Sequence, residues 1–133
     1  MKLPAHVEFR EDLQLLIWKP HGVVNETAVN KIIKLLGQME ASSGEPFNRF
    51  TDALAADAID LNFRYIFQVS LFRRLSYSGR PAVKSAILAQ DATMARYGRL
   101  HALVTQGSPL KVRVFEDRAE VAKWLGVSKE TLE

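Results

Sequence analysis

Cysteine is absent from this 133-residue chain. The chain can therefore form no disulfide and no Cys-based metal or redox site, as is usual for proteins of the reducing cytoplasm. Residues 1–12 contain no apolar segment of the kind that secretory signals carry, so we predict a cytoplasmic location. No apolar run approaches the roughly 18 residues that a membrane-spanning helix needs.

Signatures of enzyme chemistry are also missing. The seven glycines form neither a dinucleotide fingerprint nor a Walker loop, and no Gly-x-Ser-x-Gly elbow occurs. The three histidines, His6, His21 and His101, lack metal-ligand spacing, and we interpret them as structural or solvated. We therefore predict no metal, no cofactor and no enzymatic activity.

The composition that remains is typical of a globular domain. Hydrophobic residues make up 47% and charged residues 25%, so residues 1–133 can bury a core as one domain. The net charge of +3 supports only weak attraction to anions. We interpret the basic residues of the middle of the chain, among them Arg73, Arg74 and Arg80, as solvated helix rims, and we predict no nucleic-acid binding.

Hydrophobic periodicity and turn residues predict an alternation of strands and helices. The predicted elements are strands at 6–10 and 13–18, a helix capped by Asn25, a strand at 47–52, a helix from about Asp60 to Tyr77, a strand at 81–90, a helix capped by Asp91 or Thr93, a strand at 110–116 and a helix capped by Asp117. Strands separated by helices pair in parallel. The pattern thus predicts an α/β fold, in which a mixed sheet of about five strands opens with an antiparallel hairpin and is covered by about four helices.

Four segments resemble a known family. They read FNRFTD (47–52), IDLNFRYI (59–66), RPAVKSAILAQD (80–91) and VRVFEDRAEVAKWL (112–125). Together they resemble the SpoIIAA-like proteins of the STAS fold (sulphate transporter and anti-sigma factor antagonist). In the last segment we expect Trp124 and Leu125 to anchor the final helix in the core, while Lys123 faces water.

The resemblance implies a non-enzymatic interaction or regulatory module in a bacterial cytoplasm. In signalling members of the family, a Ser after the Asp that ends the central strand is phosphorylated. Here Ala53 follows Asp52, so the matching position has no hydroxyl, and the phosphorylation switch is not carried over.

Asp52 is the first candidate for a site residue. It ends a predicted parallel strand, and ligands of open α/β sheets bind at such ends. Asp52, Ala53 and Asp57 could therefore form a ligand or partner site, and Asp52 could serve an enzyme as its base. The alternative, which we favour, is that Asp52 caps the following turn. Likewise Asp57 and Asp60 could hold a divalent cation, but they more readily cap the next helix.

The helix predicted at 60–77 is apolar around its whole circumference, whereas a helix that covers a sheet needs one apolar stripe. Its second apolar face could meet another subunit, a protein partner, a bound apolar ligand or neighbouring helices of the same domain. We predict a homodimer whose interface contains Phe63, Tyr65, Phe67 and Phe72. The rival hypothesis is a binder of a small apolar or lipid-like ligand, since SpoIIAA-like folds resemble the lipid-carrying CRAL-TRIO domains in outline.

Overall fold

A computed structural model describes residues 2–133 of the chain. Its strands are β1 (Val7–Arg10), β2 (Leu15–Trp18), β3 (Gly22–Asn25), β4 (Asn48–Asp52), β5 (Ala56–Asp60), β6 (Val83–Leu88) and β7 (Leu110–Phe115). Its α-helices are α1 (Glu26–Ser43), α2 (Phe63–Ser76), α3 (Ala92–Val104) and α4 (Arg118–Leu125). Short 3-10 turns lie at Glu11–Leu13, Ala53–Ala55 and Lys129–Leu132.

The main sheet has five strands in the order β1-β2-β4-β6-β7. The opening pair β1-β2 is antiparallel, and each later pair is parallel. A four-residue connection forces the first two strands into a hairpin, whereas the later strands are separated by helices and must cross over. The predicted fold class, a mixed five-stranded sheet with four helices, is confirmed.

Three helix starts follow the predicted capping residues. The side chains of Asn25, Asp91 and Asp117 accept hydrogen bonds from backbone N–H groups in the first turns of α1, α3 and α4. Each cap satisfies one of the N–H groups that a helix start leaves without an intrahelical partner. At α3, the capping residue is Asp91 and not Thr93.

The prediction for the start of α2 is wrong, because a second sheet precedes it. Strands β3 and β5 pair in parallel, and the predicted capping residues Asp57 and Asp60 lie in β5. The helix begins at Phe63, and Asn62 caps it by accepting the N–H of Tyr65. Both strands are short, so neither carries a strong hydrophobic pattern. They are also far apart in sequence, and only their pairing stabilises them.

The two faces of the main sheet have different coverings. Side chains alternate along each strand, so one set faces α4 and the other faces α1, α2 and α3. The core on the α4 side contains Leu15, Ile17, Phe50, Ala86, Leu88 and Phe115 from the sheet, with Val121, Ala122 and Leu125 from α4. Trp124 is half-buried against this core, and Lys123 is exposed.

Candidate functional site

A cavity of about 130 Å³ lies between the main sheet and the three helices α1, α2 and α3. Each helix lines it with residues at positions i, i+3, i+4 and i+7, the spacing of one helical face. The lining residues from the helices are Val29, Ile32, Ile33 and Leu36 of α1, Ile66, Val69, Ser70 and Arg73 of α2, and Met94, Tyr97, Gly98 and His101 of α3. The wall is thus mostly apolar, with polar groups on α2 and α3.

The floor of the cavity is more polar than a covered sheet usually is. Arg49 and Thr51 of β4 and Ser85 of β6 line it beside apolar neighbours such as Leu16 and Ile87. Arg49 pairs in register with Leu16 on one side and Ser85 on the other, so it stands in the middle of the sheet. Only 4% of its surface is exposed. Such a position normally holds a branched apolar residue, because burying a charge carries a large desolvation penalty.

A cluster of charged and polar side chains surrounds Arg49. Its Nη1 donates a hydrogen bond to the Tyr77 hydroxyl at 2.6 Å, and the Nη2 of Arg73 donates to the same oxygen at 3.2 Å. The Tyr77 hydroxyl donates in turn to Oε2 of Glu40 at 2.6 Å. The guanidinium of Arg80, on the solvent side, lies 3.7 Å from the same carboxylate oxygen. Tyr77 therefore joins two buried cations to one carboxylate.

Ser70 and His101 extend this polar region along the helices. The Ser70 hydroxyl and the His101 Nδ1 share a hydrogen bond of 2.7 Å, and Ser70 is fully buried. Desolvation by burial, and then the nearby charge of Arg73, lower the pKa of His101 to about 4. His101 keeps some accessible surface, but part of that surface faces the cavity, so the ring is not hydrated as in bulk water. At neutral pH the ring is therefore uncharged.

The polar groups gather at one end of the cavity. Helix α2 runs from the carboxyl end of the sheet back toward the start of β6, so Ser70 and Arg73 lie nearer the amino ends of the strands than Ile66 does. The opposite end is marked by Leu61, whose carbonyl accepts a hydrogen bond from the Tyr97 hydroxyl at 2.8 Å. The cavity therefore has an apolar end and a charged end.

Asp52 lies outside this cavity, on the α4 side of the sheet. One carboxylate oxygen accepts the N–H of Leu54 at 3.0 Å, and the other accepts a hydrogen bond from Nη2 of Arg118 at 2.5 Å. Only 3% of its surface is exposed. The first oxygen thus caps the turn after β4, as the turn-cap interpretation expects. The second connects α4 to the sheet.

The other two residues of the candidate site do not join Asp52 in a pocket. Ala53 begins the 3-10 turn after β4, and Asp57 is exposed on β5. Neither lines the cavity between the sheet and the three helices. Within residues 2–133, no group of three or more His, Asp or Glu side chains is arranged to hold a metal ion.

The four predicted interface residues differ in their exposure to solvent. Phe63, Phe67 and Phe72 are each about half exposed on α2. Tyr65 contacts α1 of its own chain instead, and its hydroxyl donates to Oδ1 of Asn30 at 2.5 Å. Burial, followed by the charge of a nearby glutamate, raises the pKa of the Tyr65 hydroxyl.

Sequence reasoning missed the residues of the charged end. We interpreted Arg73 as a solvated rim residue, but it is 6% exposed, and desolvation lowers its pKa. Arg49 and Ser70 were not singled out at all. The available signal was periodicity: Arg49 occupies an inward position of a central strand, and Ser70 and Arg73 continue the helical face of Ile66.

The comparisons with known proteins bear on the fold. No family model and no curated protein matches the chain. A solved structure from Shewanella loihica PV-4, described as an uncharacterized protein from the DUF3478 family with a SpoIIAA-like fold, is similar, with a TM-score of 0.55 and 20% sequence identity. The alignment covers 94% of this chain and 98% of that chain. No helix within residues 2–133 is long and apolar enough to cross a membrane. The resemblance seen in the sequence is confirmed at the level of architecture: this chain has a SpoIIAA-like fold.

Proposed function

We propose that the protein is a non-enzymatic binder of a small, largely apolar ligand, which occupies the cavity between the sheet and helices α1, α2 and α3. The observation that carries the proposal is the cavity of about 130 Å³ itself, with its apolar walls and one charged end. Ligand sites commonly combine apolar walls with a few convergent polar groups. An apolar cavity of about 150 Å³ is large enough for benzene, so the ligand body is about the size of one ring.

A role without catalysis agrees with the chemistry of the polar groups. Ser70 and His101 form a hydroxyl–imidazole pair, but the pKa of about 4 makes His101 a weak base at neutral pH. The carboxylate of Asp52 is engaged by the turn and by Arg118. The cytoplasmic location stays a prediction.

Toluene provides a direct test, because it is apolar, uncharged and of the right size. We expect toluene to raise the thermal unfolding midpoint of the wild-type protein, since a ligand that binds only the folded state stabilises it. The substitution Val29→Trp on α1 fills the cavity and should abolish the shift. Thr27→Trp places the same ring on the exposed side of the same helix and should leave the shift intact.

Native mass spectrometry of the protein purified from its own source tests the same proposal without a chosen probe. A bound small molecule in the wild type and in Thr27→Trp, but not in Val29→Trp, supports ligand binding. A ligand-free protein that also fails to respond to toluene refutes it.

We further propose that the chain self-associates through α2, with a second copy of the chain as the occupant of its outer face. The supporting observation is that Phe63, Phe67, Phe72 and Leu75 are between 49% and 68% exposed on one helix. A two-fold axis would bury the same apolar patch on both chains. Large exposed apolar patches commonly mark contact sites.

Light scattering over a range of concentrations tests self-association. A dimer would have about twice the 15.0 kDa mass of one chain, and Phe72→Asp should reduce it to the monomer. The control Gln38→Asp adds the same charge at an exposed polar position of α1, outside the proposed interface. A wild-type mass near 15.0 kDa at every concentration would refute the dimer and leave the face to a different protein partner.

A further inference from the structure

The cavity contains more buried positive charge than its own residues neutralise. Arg49 and Arg73 are 4% and 6% exposed, and both line the cavity. Glu40 is the one carboxylate of residues 2–133 that forms an ion pair with either of these two groups, and it pairs with Arg49. The two buried guanidiniums and this carboxylate thus sum to a charge of about +1 where charge is poorly solvated. Arg80 adds positive charge, but it is half exposed and solvent screens it.

The hydrogen bonds around these groups are incomplete as well. Nε and Nη2 of Arg49 are buried and donate to no atom of residues 2–133. Nη2 of Arg49 lies 3.6 Å from Oε2 of Glu40, which permits charge attraction but is too long for a hydrogen bond. Oε1 of Glu40 is also unpaired. A closer contact between Glu40 and Arg49 would satisfy both side chains, but it would leave the charge of Arg73 without a carboxylate partner.

Among residues 2–133, no carboxylate forms an ion pair with Arg73. Within the described residues, its one side-chain hydrogen bond goes to the Tyr77 hydroxyl. The next polar pair along the cavity, Ser70 and His101, is neutral. A buried, fully ionised group in an apolar wall is costly, and a bound anion would offset that cost.

We propose, on the basis of the function proposed above, that the ligand is a small monocarboxylate. Its carboxylate lies against Arg49 and Arg73, and its apolar body extends toward the end of the cavity marked by Leu61 and Tyr97. Guanidinium groups bind carboxylates through paired hydrogen bonds, which matches the free donors of Arg49. A single ring or a short branched chain fits the volume of about 130 Å³.

The charge of the cluster selects a monoanion over a dianion. One carboxylate neutralises the excess charge of about +1 left by Arg49, Arg73 and Glu40. A phosphate monoester, which carries a charge of about −1.5 to −2 at pH 7, would leave the site with a net negative charge. A neutral compound of the same size would leave Arg73 uncompensated.

Isothermal titration with three compounds that share one ring tests the proposal: benzoate, benzyl alcohol and phenyl phosphate. We expect the wild-type protein to bind benzoate about tenfold or more tightly than benzyl alcohol, because hydrogen bonds to charged groups are the stronger ones. Phenyl phosphate should bind more weakly than benzoate. Equal affinities for benzoate and benzyl alcohol, or tighter binding of phenyl phosphate, would overturn the inference.

Substitutions then identify the groups involved. Arg73→Met removes the charge but keeps an apolar chain of similar length, and it should reduce the preference for benzoate to less than about threefold while benzyl alcohol still binds. Arg64→Met makes the same change at an exposed position of the same helix and should leave the preference unchanged. Arg73→Lys, which keeps the charge, is the second variant if Arg73→Met does not fold, and it should retain part of the preference. A preference for benzoate over benzyl alcohol that is as large in Arg73→Met as in Arg64→Met contradicts the inference. If Arg73→Met does not fold, the same comparison is made between Arg73→Lys and Arg64→Met.

The two proposals fail in different ways. If neither benzoate nor benzyl alcohol nor toluene binds the wild-type protein, the ligand-binding function is refuted, and the carboxylate inference with it. If toluene and benzyl alcohol bind and are lost in Val29→Trp, but benzoate has no advantage, the cavity binds ligands and the inference about their charge alone is wrong.

Discussion

Gly98 allows α3 to approach the sheet, and replacing it with alanine should destabilise the protein. A Cβ atom at this position would lie 2.7 Å from Cγ2 of Val114 on β7, well inside normal van der Waals contact. The valine side chain is stiff about its first torsion, so it cannot turn away without cost. Overpacking of this kind costs about 1–3 kcal/mol. The better helix propensity of alanine returns about 1 kcal/mol, so we expect a net loss of about 0–2 kcal/mol.

Gly37 provides the matched control, because it is also inside a helix. A Cβ atom there would meet nothing within 4 Å, and the residue is exposed on α1. Gly37→Ala should therefore stabilise the protein by about 0.5–1 kcal/mol through propensity alone. The two substitutions are chemically identical, so their difference of about 1–3 kcal/mol isolates the contact with Val114.

Urea unfolding followed by circular dichroism measures both free energies. A third variant, Gly98→Ala combined with Val114→Ala, removes the methyl group that the new Cβ would meet. The two changes should be non-additive, with the double variant less destabilised than the sum of the single ones. Equal stabilisation by Gly98→Ala and Gly37→Ala would refute the close approach of α3 to β7.

Three further predictions concern other parts of the fold. Asp52→Asn keeps an oxygen for the turn but loses the charge opposite Arg118, and it should lower the unfolding free energy by about 1–3 kcal/mol in urea. Because burial depresses the pKa of His101 from 6.5 to about 4, the unfolded chain takes up a proton there at a higher pH than the folded chain. The unfolding free energy should therefore be unaffected by this group above pH 6.5 and should fall as the pH decreases toward 4, by at most about 1.4 kcal/mol per pH unit. In unfolding experiments at each pH, His101→Gln should remove this dependence. Trp124→Ala should lower the unfolding free energy by about 3 kcal/mol, the low end for a Trp, because the ring is only half-buried.

Each of these predictions has its own control and contrary outcome. An Asp52→Asn protein as stable as the wild type would mean that the pair with Arg118 contributes nothing. His21→Gln, at an exposed histidine, should leave the pH profile unchanged, and a flat wild-type profile between pH 6.5 and 4 would contradict a buried neutral His101. Lys123→Ala should change stability by less than about 0.5 kcal/mol, and an equally small effect of Trp124→Ala would show that this ring does not anchor α4.

Local sequence signals predicted the main sheet and most of the helix boundaries. The strand predicted at 110–116 alternates from Leu110 to Val114, and Asn25, Asp91 and Asp117 cap helices through their own side chains, so these features depend on neighbours within a few residues. The paired strands β3 and β5 were not predicted, because each is stabilised by a partner more than 30 residues away in the sequence.

The helix predicted at 60–77 shows why the candidate site was harder to foresee. Its apolar residues were spread around the circumference, so the sequence did not indicate which face turns inward. In the structure the inward face carries Ser70 and Arg73, while Phe63, Phe67 and Phe72 remain exposed. Ile66 and Val69 also face inward, but hydrophobicity alone would not place an arginine inside and three phenylalanines outside.

The sequence by itself determined the order of the main-sheet strands and the four helices, the α/β class and the absence of a hydroxyl at Ala53, and four of its segments indicated the SpoIIAA-like architecture by resemblance. Apart from the resemblance, these properties follow from periodicity, capping chemistry and residue identity, which are all local. Only the tertiary structure decided that Arg49 and Arg73 meet at one end of a cavity and that Asp52 is held by Arg118. Such juxtapositions join residues distant in the chain, and the environment that makes a buried arginine significant exists only after the helices have packed on the sheet.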